Sequence, residues 1–202
     1  MKCLKHIPLL LIASFLIISP VQAWRITPEL EKELETKRAV VNEKPNDPAA
    51  LFDLAITYAY TNHLLDGMST LKKIGEIDPE YRKTALTDYI KKVNESPNDW
   101  RLRFRVAFAY YFNGKQKDAV REFKNVLKID PYNVWAYGYI ALLYGEMNEI
   151  DKAIEITKQG LAIDSNVAAL HLLLSEGYYK KGDSWNGFME RMEAVRLKTL
   201  GY

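Results

Sequence analysis

Histidine and cysteine, the residues that most often ligate metals or act as nucleophiles and bases, are scarce in this chain of 202 residues. Beyond position 23 there are two histidines, His63 and His171, which lie 108 positions apart, and no cysteine, because the only one is Cys3. A zinc site needs several such ligands at short spacings, and no HExxH pair occurs. The sequence therefore predicts neither a metal site nor a cofactor.

Motifs of catalysis are absent as well. The sequence has no GxSxG nucleophile motif, no glycine-rich phosphate loop and no calcium-loop spacing. Acidic residues are plentiful, but they fall on predicted outer helix faces, where solvation explains them: Glu31, Glu35, Asp118, Glu122, Asp151 and Glu155. We therefore expect the protein not to be an enzyme. A carboxylate pair that only folding brings together is the catalytic alternative that stays open.

Aromatic side chains are a more informative feature than ionisable ones. The stretch WRLRFRVAFAYYFN, at positions 100–113, is apolar on nearly every face of a helix. Packing against the neighbouring helices needs only one apolar stripe of this helix. The second apolar stripe is therefore either covered by another part of the chain or available to a ligand. With its neighbours on adjacent helices, the candidate partner-binding set is Phe52, Ile56, Arg101, Phe104, Arg105, Phe108, Tyr111, Phe112, Trp135, Tyr139 and Leu142.

These residues lie on elements that repeat every 34 positions. Tyr110, Tyr144 and Tyr178 share this interval, and so do the small residues Ala119, Ala153 and Gly187. Within one copy, apolar residues at helical spacing lead to a turn at Asn113-Gly114, and a second amphipathic stretch follows. Each unit is therefore predicted to be a pair of antiparallel helices. One pair cannot bury its own apolar face, whereas several stacked pairs can.

This pattern closely resembles the tetratricopeptide repeat family, whose unit is a 34-residue helix-turn-helix. The resemblance is carried in the best copy by Trp100, Val106, Ala107, Tyr110, Gly114, Ala119, Phe123 and Pro131. It departs from the family at Gly67, Thr157, Ser165 and Arg191. The resemblance implies an all-α, right-handed α-α superhelix of about ten helices without strands. Its units would lie near 48–81, 100–133, 134–167 and 168–202.

Two further helices are predicted from a phrase with a different period. VNEKPND at 41–47 and VNESPND at 93–99 lie 52 positions apart, which is one repeat interval of 34 plus 18 further positions. A segment of that length suffices for one unpaired helix of about four turns. Extra helices are therefore expected near 28–43 and 80–94. Thr27, Asp47 and Asp78 each precede a proline and are predicted to cap the helices that follow.

The resemblance implies a protein that binds another protein or peptide through its concave face. Some members of the family hold a carboxylate with a polar clamp. Arg101 and Arg105 resemble one part of it, but Phe52, Ile56, Gly138, Tyr139 and Leu142 stand where its other polar residues would be. We therefore expect a non-catalytic adaptor that binds an apolar or aromatic segment. The alternative is a structural component that self-associates or docks through its ends, with the aromatic residues internal.

The last predicted helix, 184–199, has an apolar side and a charged side. Its apolar residues are Trp185, Phe188, Met189, Met192 and Val195. We expect this side to close the stack and the charged side to form a soluble end cap.

The segment 1–23 has the order of a secretory signal. Lys2 and Lys5 precede an apolar run over 9–18, and Val21-Gln22-Ala23 supplies small residues for cleavage. The sequence therefore predicts an exported protein, periplasmic or secreted, that begins at Trp24. The segment 24–202 carries 26 basic and 26 acidic side chains, since the other two of the 28 basic ones are Lys2 and Lys5. This balance argues against nucleic acid as a partner.

Overall fold

The structure is a computed structural model that describes residues 26–201, and over that range it contains α-helices and no strand. The helices are α1 (Pro28–Glu43), α2 (Pro48–Ala59), α3 (Leu64–Ile77), α4 (Tyr81–Glu95), α5 (Trp100–Phe112), α6 (Gln116–Ile129), α7 (Val134–Glu146), α8 (Ile150–Ile163), α9 (Ala168–Lys180) and α10 (Ser184–Thr199). They confirm the predicted all-α class. The predicted signal peptide, 1–23, lies outside the described residues. Across 26–201, no helix has the length and apolar character to cross a membrane.

The helices stack in chain order into an α-α superhelix. Each packs on the next one, except that α3 and α4 scarcely touch. Helices α2, α5, α7 and α9 form one layer, because α2 also packs on α5 and α7 also packs on α9. The Tyr139 hydroxyl of α7 donates a hydrogen bond of 2.9 Å to the carbonyl oxygen of Ala59 at the end of α2. That bond brings together residues 80 positions apart.

Side chains at the helix N-termini explain several of the boundaries. Asp47 Oδ1 accepts a hydrogen bond from the backbone N–H of Ala49 at 2.9 Å, and Asp99 Oδ1 accepts one from Arg101 at 2.8 Å. The two copies of the repeated phrase therefore each end on a capping aspartate. The predicted cap at Asp78 is wrong in detail, because α4 begins at Tyr81. Asp78 instead accepts a hydrogen bond from the backbone of Glu80 within the preceding turn.

The tyrosines that repeat at the interval of 34 have matching surroundings. Each is half-buried, and each has a basic side chain over its ring. Lys124 lies 5.5 Å from the ring centre of Tyr144, and Lys158 lies 5.4 Å from that of Tyr178. The two lysines are themselves one repeat interval apart, so the structural repeat follows the sequence repeat.

The outer side of α10 differs from the expectation. Its apolar residues do not close the stack, because Trp185, Phe188, Met189, Met192 and Val195 are all exposed. The buried side of α10 is built from Leu197 and two small residues, Gly187 and Ala194. A Cβ at Gly187 would come within 2.9 Å of the Tyr179 ring, so this contact requires glycine. The small residues let the helices approach closely, and the large ones therefore face outward.

Candidate functional site

The aromatic residues at the centre of the superhelix pack against one another. Phe104 is completely buried, and its ring centre lies 5.0 Å from that of Phe123 and 5.2 Å from that of Tyr60. Both contacts are edge-to-face, a favourable geometry for aromatic pairs. Tyr139 completes the cluster at 4.8 Å from Phe108. The centre of the predicted concave wall is therefore filled by the chain itself.

Five of the eleven candidate residues are buried: Phe52, Ile56, Phe104, Arg105 and Phe108. Phe104 and Phe108 are covered by Phe123 of α6 and Tyr139 of α7. The two extra helices contribute to the burial of two others. Phe52 lies 5.3 Å from the ring of Tyr89 on α4, and Arg105 pairs with Glu33 on α1. The expectation of an open groove over these five residues is therefore wrong. The alternative, in which the aromatic residues are internal, applies to Phe52, Phe104 and Phe108. They are core residues and offer a partner no surface in this form.

A buried ionic cluster joins four helices around Arg105. The side chain of Arg105 is 4% exposed, and its Nε donates to Asp53 Oδ1 at 2.7 Å. Its Nη2 lies 3.4 Å from Glu33 Oε1. Four other side chains donate hydrogen bonds to these two carboxylates. Asp53 accepts from Lys37 of α1 at 2.8 Å and from Tyr89 of α4 at 2.5 Å. Glu33 accepts from Tyr60, which follows α2, at 2.6 Å and from Arg101 of α5 at 2.7 Å. Every carboxylate oxygen in the cluster has a partner.

The electrostatics of this cluster do not suit general acid catalysis. Burial raises the pKa of Asp53, but the charge of Arg105 and the bond from Lys37 outweigh burial and lower it to about 2. The pKa of Glu33 is lowered as well, because the bonds from Tyr60 and Arg101 outweigh its burial. Both groups are ionised near neutral pH and are saturated with donors. Folding does bring two carboxylates together, but their geometry is that of a structural ion pair network.

The other six candidate residues are at least partly exposed. They do not share one surface. Tyr111 and Phe112 lie at the end of α5, where the Tyr111 hydroxyl donates to Glu146 at 3.0 Å. Leu142 is 40% exposed and lines a cleft between α7, α8 and α9. Tyr139 is tied to Ala59, and Arg101 to Glu33. Only Trp135 of the six opens onto the apolar pocket described next.

We call this pocket the inner groove. It has a volume of about 630 Å³ and lies between the N-terminal ends of α7 and α9, the C-terminal half of α10 and the turn after α2. Its lining is mostly apolar, with Trp135, Val167, Ala168, Ala169, Leu172, Ala194 and Val195. Arg191 and Lys198 add positive charge, and no acidic side chain among the described residues lines it. The inner groove therefore suits an apolar segment with an acidic or carboxylate edge.

Comparison with known proteins agrees with the paired helices and their repeating columns. Residues 113–177 match the family described as Tetratricopeptide repeat. This segment, about a third of the chain, is similar to tetratricopeptide repeats. The matched residues run from the end of α5 to α9 and include α7, which contributes Trp135 to the inner groove.

Three relatives share the repeat architecture. TPR repeat-containing protein YpiA of Bacillus subtilis (strain 168) is 23% identical over 169 residues, covering 83% of this chain and 35% of YpiA. The chain thus spans about a third of that relative. The structure of MamA 41-end from Desulfovibrio magneticus RS-1 is 18% identical, with a TM-score of 0.55 over 85% of this chain and 87% of that one. TTC0263, a thermophilic TPR protein in Thermus thermophilus, is 21% identical, with a TM-score of 0.55 over 83% and 82%. These structural likenesses show the fold.

The two histidines of the repeat domain have structural roles. His171 Nδ1 lies 2.6 Å from a Glu190 oxygen, and its Nε2 lies 2.9 Å from the carbonyl oxygen of Ser165. Equivalent side chains of earlier units donate to the carbonyl six positions before, namely Arg103 to Pro97 and Tyr137 to Pro131. His63 lies in the turn before α3, where its Nδ1 contacts the Thr61 carbonyl. Within 26–201 no three acidic, histidine or cysteine residues are grouped to hold a metal ion.

Sequence reasoning missed the ionic cluster and misplaced one acidic residue. Glu33, Asp53 and Tyr89 come together only after folding. Glu122 is buried and accepts a hydrogen bond of 3.0 Å from Arg103, although solvation was expected to account for it. The repeat itself held a signal, because Arg103 and Glu122 align with His171 and Glu190 two repeat intervals later. Polar residues that recur at the same two positions of the repeat therefore predict a contact between those positions within each unit.

Proposed function

We propose that this protein is a non-catalytic adaptor of the cell envelope that binds an apolar or aromatic segment of a partner protein in the inner groove. The observation that carries the proposal is the open apolar pocket beside Trp135 and Leu172. Helical repeat proteins commonly bind partners on the inner surface of the superhelix. The filled aromatic core makes this inner surface shorter than the sequence pattern suggests and moves it toward α7, α9 and α10.

The chemistry of the inner groove selects the kind of segment. A volume of about 630 Å³ accommodates a few side chains and not a long helix. Leu172 is 48% exposed, so a bound apolar side chain would remove much of its surface from water. Lys198 is exposed on the wall of the groove, while Arg191 pairs with Glu176 and lies over the ring of Tyr179. A segment with an aromatic or aliphatic anchor beside an acidic residue fits best.

The envelope location rests on the signal-like order of the segment 1–23, with its two lysines, its apolar run and Ala23. N-terminal sequencing of the protein purified from cells tests this part separately. A chain that begins at Trp24 supports export with cleavage. A chain that still begins at Met1 contradicts it without affecting the inner groove.

In-cell photocrosslinking tests the binding surface. A photoreactive amino acid at Leu172 should capture a partner protein through the groove, and one at Trp135 should capture the same partner. Gln159 of α8 is the matched control, because it is exposed and lies outside the residues that line the groove. Capture of one identified protein from both groove positions and not from Gln159 supports the proposal. Equal capture from all three positions, or none from the groove, contradicts it.

A further inference from the structure

The apolar face of α10 is a second surface, distinct from the inner groove in its main residues. Trp185 is 71% exposed, and Phe188, Met189, Met192 and Val195 are 48–51% exposed. We call these five residues the α10 stripe. Trp185 and Met192 are seven positions apart, and so are Phe188 and Val195. This spacing places them along one side of the helix in the a and d pattern of paired helices.

Repeat equivalence shows what kind of neighbour the α10 stripe fits. Ile154 and Leu161 of α8 stand one repeat interval before Phe188 and Val195. On α8 this side faces the next helix, since Ile154 lies against Gly177 of α9 and Leu161 packs with the cluster that holds residues of α9. Phe188 and Val195 of the α10 stripe therefore occupy the register of the seam through which α8 packs on the following helix. Its geometry fits another helix.

The rest of the α10 stripe is more apolar than the equivalent exposed positions of α6 and α8. At the positions of Trp185, Met189 and Met192, helix α8 has Asp151, Glu155 and Lys158, and helix α6 has Lys117, Arg121 and Lys124. Free ends of helical repeats usually carry polar residues. The exposed fractions leave roughly 500 Å² of side-chain surface per chain, taking usual areas for side chains of this size. Two copies pairing through it would bury about 1,000 Å², near the lower bound for a specific interface.

The opposite end of the stack cannot take the α10 stripe in the same way. The outer side of α1 is largely charged, with Glu29, Glu31, Lys32, Glu35 and Glu43 exposed. Stacking α10 of one copy on α1 of another would cover these charges with apolar side chains. Pairing of α10 with itself matches like surfaces, and such a contact closes on a twofold axis without forming filaments.

We propose that the α10 stripe binds the α10 stripe of a second copy of this chain, with the two helices antiparallel and crossing near Met192, to form a closed dimer. Antiparallel helices also oppose their dipoles favourably. Val195 at the end of the α10 stripe also lines the inner groove, whereas the groove residues Trp135 and Leu172 lie on α7 and α9, outside the dimer contact.

Sedimentation equilibrium of the purified chain tests the dimer. The wild-type chain should have twice the monomer mass at micromolar concentration, and Met192→Lys or Trp185→Lys should reduce it to the monomer with an unchanged helical circular dichroism melt. Leu65→Lys is the matched control, since Leu65 is an 81% exposed apolar residue on α3 and should leave the dimer intact. A monomeric wild-type chain, or a dimer that survives both α10 substitutions, overturns the proposal.

Disulfide trapping tests the antiparallel geometry, in a Cys3→Ser background. Met192→Cys should form a disulfide-linked dimer under mild oxidation. Trp185→Cys should not, because antiparallel pairing about Met192 places the two copies of position 185 about 20 Å apart. Linkage through both positions indicates parallel helices, and linkage through neither indicates another interface. Either result overturns the proposed arrangement, whereas Leu172 substitutions in the groove leave the assay unaffected.

Discussion

Arg105 Nε lies 2.7 Å from Asp53 Oδ1, and the two residues are 52 positions apart in the sequence. This is the interval that separates the two VNExPND phrases, so Asp53 and Arg105 occupy equivalent positions in two similar hairpins, α1–α2 and α4–α5. Lys37 and Tyr89 are a second equivalent pair, and both donate to Asp53. The same position of the repeat thus carries a negative charge in one hairpin and a positive charge in the other. The ion pair between these two residues joins the hairpins at the centre of the ionic cluster.

Replacing Arg105 by methionine should strongly destabilise the chain. The substitution leaves the partly buried Asp53 and Glu33 without the buried cation of Arg105, and loss of one member of a buried pair costs about 3–5 kcal/mol. Urea unfolding followed by circular dichroism measures the difference. Arg121→Met is the control, because the Arg121 side chain is 57% exposed and its surface ion pairs should contribute no more than about 1 kcal/mol. Equal effects of the two substitutions would contradict a structural role for the cluster.

Stability should fall in acid because of Asp53. The pKa of this group is about 2 in the folded chain and is ordinarily 3.8, so the unfolded chain binds the proton more readily. The stabilisation is therefore complete above about pH 4 and is lost as the pH falls toward about 2, with a total of about 2 kcal/mol. Unfolding free energies at pH 7, 4 and 2 measure it. Asp53→Asn should flatten this dependence, and an unchanged slope in that variant would argue against the assignment.

Replacement by alanine should lower the stability of the chain at one glycine and raise it at another. A Cβ at Gly177 would lie 2.7 Å from Ile154 Cγ1, so α8 and α9 must move apart, at a cost of about 1–3 kcal/mol. A Cβ at Gly138 meets Leu170 Cδ2 at an ordinary 3.6 Å, so alanine there should stabilise α7 by about 0.5–1 kcal/mol. Thermal melts of the two variants measure the signs. A stabilised Gly177→Ala variant would mean that the helices are less closely packed than described.

A charge in the inner groove should abolish partner capture without unfolding the chain. Leu172→Glu places a carboxylate on an apolar wall, and an apolar segment would have to desolvate it on binding. Crosslinking yield from Trp135 should therefore fall at least tenfold while the thermal melt stays unchanged. Leu65→Glu is the matched control, because it makes the same change at an exposed leucine outside the groove. Undiminished capture by Leu172→Glu would place the binding surface elsewhere.

Local patterns predicted the helices well because their causes lie close to each helix in the sequence. The capping bonds of Asp47 and Asp99 depend on the next two or three backbone amides, and the repeating tyrosines have matching surroundings because each unit builds the same local pair. The candidate binding residues were predicted less well. Phe104 and Phe108 belong to an apolar helix face of the kind that binds partners, but both are buried. The amino-acid composition of a face does not show which other part of the chain covers it.

The sequence by itself determined the all-helical repeat, the two extra helices and the caps at Thr27 and Asp47, since hydrophobic periodicity and turn residues act over one helix or one turn. Tertiary structure alone decided which apolar surfaces are open. It buried the aromatic centre of α5 against α6 and α7, gathered Glu33, Asp53 and Arg105 into one ionic cluster, and left the α10 stripe exposed. The physical reason is that burial depends on the neighbours that a curved stack brings together from distant parts of the sequence, as in the bond from Tyr139 to Ala59.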